Sequence, residues 1–422
     1  MAFLIFINTY LSGCMRRLFT QISHYYVLAI AFMLGLIVFL PDSGYDKYFW
    51  VTWAQYIKEH GLTQAYNNPE INYHPVILCI IDVFTWFFNS PADINLTNIN
   101  WLKVPTALFD WGIIFLSLKL MQHHKVNLQW GLLLAFNPAF WYNTIIWGQF
   151  DSIWVFFCLA SIYVALKEKW FLSIVLYTLA LNTKLFALMF LPFIFPLWIK
   201  DKTSQLQLLR PLPVLLILQF ISLLPFLFTT HNSLFTIIGR STDYYNSISR
   251  NAYNIWYFFF TDPFNTPDDT LIAWVFGGVI AVFFVLALLQ LLERITIWQS
   301  AALASLIFFL FLTRMHERYA HAAIVFTAIV FFASPPSPLH QMERGGLRKQ
   351  EGVRLLCFFL ISLAYLLNLE AVMQMLNKSL GFSVDYNSIL FNPKLIATLY
   401  VISLVILVIS TFTLYKNSSE RA

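Results

Sequence analysis

Six short stretches carry most of the side chains able to do chemistry in this sequence. In PDSGYDKYFWVTW (41–53), the carboxylates of Asp42 and Asp46 follow a long apolar run and precede Trp50 and Trp53. A carboxylate facing a partly apolar cavity suits a general base that takes a proton from a hydroxyl nucleophile. Asp42 equally fits an N-cap for the helix that follows, and the tryptophans fit an interfacial belt. In NPEINYHPV (68–76), two prolines mark a turn that carries Tyr73 and His74. NTIIWGQFDSIW (143–154) groups Gln149 and Asp151 with Trp147 and Trp154, and Gly148 permits close backbone approach. Carboxylate, amide and indole together suit a grip on a polyol; alternatively, Asp151 with Ser152 caps the next helix. FLTRMHERYAHA (311–322) clusters Arg314, His316, Glu317, Arg318 and His321. Arginine forks bind phosphate in bidentate fashion, so this reads as an anion site, with a salt-bridge network around Glu317 as the alternative. The segment IGRSTDYYNSISRNAYNIWYF offers Arg250, Asn251 and Asn254 among aromatic residues, either for polar recognition or as a solvated loop. Lys184, in LALNTKLF, can meet a phosphate or snorkel to the interface.

These groups need a membrane framework to hold them. The chain has 422 residues, 59% of them hydrophobic and 11% charged, with 43 Phe, 20 Tyr and 14 Trp. An ordinary globular domain is about a quarter charged. Mean hydropathy is +0.68, and apolar runs of about 15 to 20 residues recur along the chain. The net charge of +5 is read as Lys and Arg in cytoplasmic loops, not as a nucleic-acid signature. Cys14, Cys79, Cys158 and Cys357 are scattered without metal or redox spacing. In MAFLIFINTYLSGCMRR the charges follow the apolar stretch, unlike a signal peptide, and hold the N-terminus inside, with translation starting at Met1 or Met15.

Candidate spans lie near 23–41, 103–121, 128–147, 152–166, 170–183, 184–199, 211–229, 272–292, 297–312, 318–333, 354–370 and 395–414. The run 75–89 is short and contains Asp82. Were it to cross, every later basic loop would face outwards, so it is expected to lie in the interface. About 12 crossings result, with both termini inside and a break at Asn182-Thr183-Lys184 on the outer side. The first external loop is 42–102, a second is 230–271, and 334–353 is a cytoplasmic loop. Polar material concentrates on the outer face.

In chain order the motifs are an aspartate seven residues before Trp53, the Tyr73-His74-Pro75 turn, WGQFDS, NTK, RNAYNIW and TRMHERY. Together they resemble the GT-C membrane glycosyltransferases, specifically bacterial relatives of GPI mannosyltransferase II, over roughly residues 40–325. The resemblance implies one all-α, polytopic transmembrane domain over 1–422, with interfacial helices in its first external loop. It implies a polyprenyl-phosphate-linked hexose donor and an inverting, metal-independent transfer in the bacterial inner membrane, with the active site facing the periplasm. It needs no cofactor and no nucleic acid; the partners are the lipid-linked donor, membrane lipids and a glycan, lipid or protein acceptor. Asp46 matches the first-loop base, with Asp42 competing. Arg314, His316, Arg318 and Lys184 are expected at the donor phosphate. Trp53, Tyr73, His74, Trp147, Gln149, Asp151, Arg250, Asn251 and Asn254 are expected on the sugar and acceptor side. Tyr73-His74-Pro75 departs from the usual Tyr-Pro-Pro. The rival reading, a transporter or flippase of lipid-linked sugars, would set ionisable residues at mid-membrane in repeats, which this sequence lacks.

Overall fold

The computed structural model describes residues 24–39, 46–199, 210–229, 233–240, 246–332, 344–379 and 388–419. Asp42 lies outside the described residues, as do residues 334–343 of the cytoplasmic loop. The helices run α1 His24–Phe39, α2 Lys47–His60, α3 Pro75–Thr85, α4 Lys103–His123, α5 Leu132–Ala135, α6 Pro138–Ile145, α7 Asp151–Ala165, α8 Trp170–Leu181 and α9 Leu191–Ile199. After these come α10 Pro211–Leu227, α11 Leu234–Arg240, α12 Trp256–Phe259, α13 Asp269–Leu291, α14 Ile297–Phe311, α15 His321–Phe332, α16 Arg344–Ser379 and α17 Pro393–Ser419. A single parallel pairing, β1 Ser249–Arg250 with β2 Met315–His316, is the only sheet among the described residues.

Four helical stretches are long and apolar enough to cross a membrane: Asn98–His123, Asp269–Leu291, Gly352–Asn377 and Pro393–Phe412. Shorter apolar helices, α7, α8 and α10 among them, accompany these four. The chain is a multi-pass helical membrane protein. Its outward faces are apolar: Trp274 is 78% exposed on α13 and Phe228 is 80% exposed at the end of α10. Such surfaces are costly in water and natural against lipid tails.

Two expected elements come out differently. The run 128–147 is not one span: a 3-10 turn at Leu128–Gly131 leads into α5, and the chain breaks before α6. Proline at the start of α6 cannot continue the preceding ladder, and Asn137 accepts from the Ala139 backbone N–H as its cap. Residues 344–353, expected in a loop, are the first turns of α16. The expected break at 182–184 is present, between α8 and a 3-10 segment, Leu185–Phe190. The Asn182 carbonyl accepts from Val76 N–H at 2.9 Å, which ties the start of α3 to this break.

Helix α3 buries Ile77, Leu78, Ile81 and Phe84, whereas Cys79, Val83, Trp86 and Phe87 on the opposite side are exposed. That spacing is one helical stripe. The packed side joins a satellite core built on Trp50, Trp53, Ile57, Tyr66 and Phe150. The main core runs through α4, α7, α8, α14, α15 and α16. Gly112 in α4 is where the Phe156 ring of α7 approaches: a Cβ there would meet a ring carbon at 2.6 Å.

Candidate active site

The site is assembled from the starts of α2 and α7, the Tyr73–His74 turn, the break at 182–184 and the segment 314–318. After α6 the chain turns through Gly148, whose φ of 66° favours a residue without Cβ. Gln149 N–H then returns to the Asn143 carbonyl at 3.0 Å. This turn sets Gln149 and Asp151 at the mouth of α7. Asp151 does not cap α7: it is the first helical residue, and Phe150 occupies the cap position without a side-chain bond. Its Oδ1 accepts instead from Lys184 Nζ at 2.6 Å and from Trp154 Nε1 at 3.1 Å. Ser152 turns away, donating to Asp110 and lying 3.0 Å from His321 Nε2.

Asp46 stands at the N-terminus of α2 and makes no capping bond either. Its carboxylate accepts from the Gln149 amide and lies 3.5 Å from Arg318 Nη2. Gln149 is itself oriented by the Tyr73 hydroxyl, which donates to Oε1 at 3.3 Å. Arg318 also donates from Nη1 to Glu317 at 3.0 Å, so one guanidinium faces two carboxylates. The ion-pair network around Glu317 is therefore present, and it engages an arginine expected at an anion site.

The segment bearing Arg318 is clasped by residues 247–250. Ser249 pairs with Met315 and Arg250 with His316, and Arg314 N–H donates to the Ser247 and Ile248 carbonyls. Arg314 takes a φ of 62° and Asn251 one of 66°, both left-handed for residues with a Cβ. Such conformations cost about 1–3 kcal/mol and persist where the surroundings over-determine them. The Arg314 guanidinium donates to Asn246 Oδ1 at 3.0 Å.

Burial and pairing set the charges. Burial pulls the His74 imidazole down to about 4. His316 is lowered by burial and by the adjacent Arg318 charge. Burial would raise Glu317, but His316 and Arg318 hold it below the usual carboxylate range. Burial alone would depress Arg318; the Asp46 and Glu317 carboxylates more than reverse this, and its charge is secured. Lys184 is lowered by burial, against the pull of Asp151. Its ammonium also sits 4.5 Å from the Tyr319 ring centroid, 5.3 Å from Phe186 and 5.7 Å from Tyr73.

From these polar groups a groove of about 530 Å³ runs down between α13 and the broken helix. Tyr73, His74, Lys184, Arg314, His316 and Arg318 form its head. Its walls are apolar: Leu188, Met189, Pro192, Phe276, Val279, Phe283 and Phe308. Among the described residues no cluster of His, Cys, Asp or Glu has the makings of a metal site.

The structure brings together Asp46, Tyr73, His74, Gln149, Asp151, Lys184, Arg314, His316 and Arg318. Trp53 and Trp147 are each 2% exposed and pack in the cores; Trp53 meets Trp50 edge to face and Tyr73 at a tilt and so supports the site from behind. Arg250 lies over the Phe264 ring, the Asn251 carbonyl accepts from Asn368, and Asn254 donates to the Phe309 carbonyl. All three hold the clasp. Sequence reasoning missed Tyr319, which covers Lys184, and Asp110, hidden inside the apolar run of α4. An ionisable residue within a span was the available signal for Asp110; for Tyr319 there was none beyond its neighbours.

Residues 40–200 match the family described as alpha-(1->6)-mannopyranosyltransferase, N-terminal domain. Residues 148–255 match the family described as ALG3 protein. Both are membrane mannosyltransferases of GT-C type, the superfamily that the motifs resemble, although neither is the GPI mannosyltransferase II branch. The matched stretches contain Asp46, Gln149, Asp151 and Lys184; the segment 314–318 lies beyond them. No curated protein matches the chain.

Proposed function

We propose that this GT-C-type membrane glycosyltransferase moves a hexose, mannose by the matched families, from a polyprenyl-phosphate carrier to an acceptor hydroxyl. The observation that carries the reading is an apolar groove with cationic side chains at its head and the Asp46 carboxylate beside them. Phe276 and Phe283 on the groove wall belong to α13, a helix largely open to lipid. Lateral entry of a lipid donor follows naturally. A nucleotide-linked sugar would find hydrocarbon where its base and ribose need polar partners.

The chemistry is one displacement. Asp46 takes the proton of the acceptor hydroxyl, whose oxygen attacks the anomeric carbon. The bond from that carbon to the phosphate oxygen breaks, and its electron pair leaves on the lipid phosphate. Arg318 and Arg314 stabilise the charge that gathers there, as a divalent cation does elsewhere, which makes the transfer metal-independent. A single displacement inverts the anomeric centre. Gln149 aims the base, and the Asp151–Lys184 pair supports the floor of the sugar site. On this reading the cleft lies on the outer, periplasmic side of the bacterial inner membrane, with about 12 crossings and α3 in the interface, a topology that the Lys and Arg of the loops support.

The test is transfer of labelled mannose from polyprenyl phosphate mannose to membrane acceptors by purified protein. Asp46→Asn should lower the rate by about 10²–10⁴-fold, the usual worth of a positioned base. Undiminished transfer by Asp46→Asn would refute the base; equal transfer from a nucleotide-linked mannose would refute the donor class.

A further inference from the structure

We infer that Arg318 holds the Asp46 carboxylate in the donor-free protein and gives it up to the donor phosphate, so that the base is freed only in a site already charged with donor. This rests on the reading of Asp46 as base and of the groove as the donor site.

The two edges of the guanidinium are used unequally. Nη1 is committed to Glu317 at 3.0 Å, and that carboxylate is 1% exposed and next in the chain. Nη1 also lies 3.5 Å from His316 Nδ1. On the other edge, Nη2 reaches Asp46 at 3.5 Å, beyond the length of a good charged hydrogen bond. Nε, on that same edge, is buried and has no hydrogen-bond partner among the described residues. Nε and Nη2 together form the two-donor fork that matches two oxygens of a phosphate. A buried donor without a partner is costly, so the edge is poised for a ligand that satisfies both nitrogens.

Charge decides what happens when that ligand arrives. Lys184 is already closed on Asp151 at 2.6 Å. A phosphate on the open edge of Arg318 satisfies Nε and Nη2 at once, while Asp46 offers Nη2 one loose contact. Two anions against one cation repel in a partly buried site, and the weaker contact yields. Asp46 then keeps its bond from the Gln149 amide. No covalent bond changes in this exchange, and the proton Asp46 later takes is that of the acceptor hydroxyl.

The consequence runs against ordinary expectation: removing the base should tighten donor binding. The experiment measures equilibrium binding of tritiated geranylgeranyl phosphate mannose in detergent, with geranylgeraniol as the phosphate-free control. Asp46→Asn and Asp46→Ala should each bind the phosphorylated lipid about two- to fivefold more tightly than the unmodified protein, the worth of one loose ion pair, with the alcohol unchanged. Arg318→Lys, which lacks the fork, should bind it at least tenfold more weakly, and Asp46→Asn should give no gain in that background. Equal or weaker binding by both Asp46 variants overturns the exchange while leaving the donor class standing. Failure of the unmodified protein to prefer the phosphorylated lipid over the alcohol overturns the donor class, and the exchange with it.

Discussion

Lys184→Met removes one charge from a pair that is largely shielded from water. The Asp151 side chain is 0% exposed and that of Lys184 13%, with 2.6 Å between Nζ and Oδ1. What remains on Asp151 is the Trp154 indole at 3.1 Å, and its Oδ2 has no hydrogen-bond partner among the described residues. Stranding one member of a buried pair costs about 3–5 kcal/mol. Methionine refills the stem but loses the ammonium contacts to the rings of Tyr319, Phe186 and Tyr73, worth about 0.5–1 kcal/mol. A loss near 4 kcal/mol is expected, about a 5 °C fall in Tm for a chain of this size. The double variant Lys184→Met with Asp151→Asn should recover most of that, because replacing both members of a buried pair is often close to neutral. The assay is thermal unfolding in detergent followed by fluorescence-detected size exclusion, at one heating rate because unfolding of such proteins is irreversible. If the single variant matches the unmodified protein, or the two single losses simply add in the double, the pair is not a coupled buried unit and the reasoning fails.

Three further outcomes are expected. Gln149→Leu keeps the bulk but removes the amide that aims Asp46, so kcat should fall about 10–100-fold with KM nearly unchanged; a rise in KM at constant kcat would make Gln149 a binding residue instead. The folded value of His74, about 4, lies below its ordinary 6.5, so between these values the unfolded chain takes a proton that the native state refuses. Stability should therefore drop as pH falls from about 6.5 to 4, by up to about 3 kcal/mol, and His74→Asn should flatten that slope without abolishing it, since His316 is lowered too. In a Cys79→Ser background, Thr97→Cys should react with a membrane-impermeant maleimide added from outside; protection in intact cells would mean that α3 crosses the membrane.

The candidate site residues were legible because a membrane protein isolates them: against hydrocarbon, a carboxylate or guanidinium stands out. The break at Asn182-Thr183-Lys184 was readable for the same reason, and the structure ends α8 there. The run 128–147 misled because mean apolarity is blind to one Asn-Pro step that stops a helix. What no local pattern could supply is partnership. Gln149 meets Asp46 across 103 positions, and Lys184 meets Asp151 across 33. Lys184 and Arg318 both read as phosphate ligands by residue type alone; only the packing shows that Lys184 closes on a carboxylate at 2.6 Å, whereas Arg318 meets Asp46 loosely and keeps its Nε without a partner among the described residues.

Asp110 bears on the rival reading, because an ionisable residue inside a span is what a transporter or flippase would display. Two features separate it from a transport site. It is 0% exposed, and it is absent from the walls of the groove. Its Oδ1 accepts from Ser152, whose hydroxyl also meets Thr144 at 3.3 Å and His321 at 3.0 Å, so α4, α6, α7 and α15 are pinned at one point. That point lies one residue from Asp151 and three from Arg318 along the chain. A residue that binds and releases cargo must change partners and see water; Asp110 is enclosed by helices that would have to separate for it to do either. Its placement fits a staple under the cleft. Asp110→Asn, which keeps the shape and the hydroxyl contact, should therefore preserve mannose transfer to within about threefold, whereas Asp110→Leu should lower Tm and transfer together through the unpaired polar groups it leaves behind. Loss of transfer in Asp110→Asn with Tm unchanged would give the carboxylate a role in the reaction cycle and reopen the transport reading.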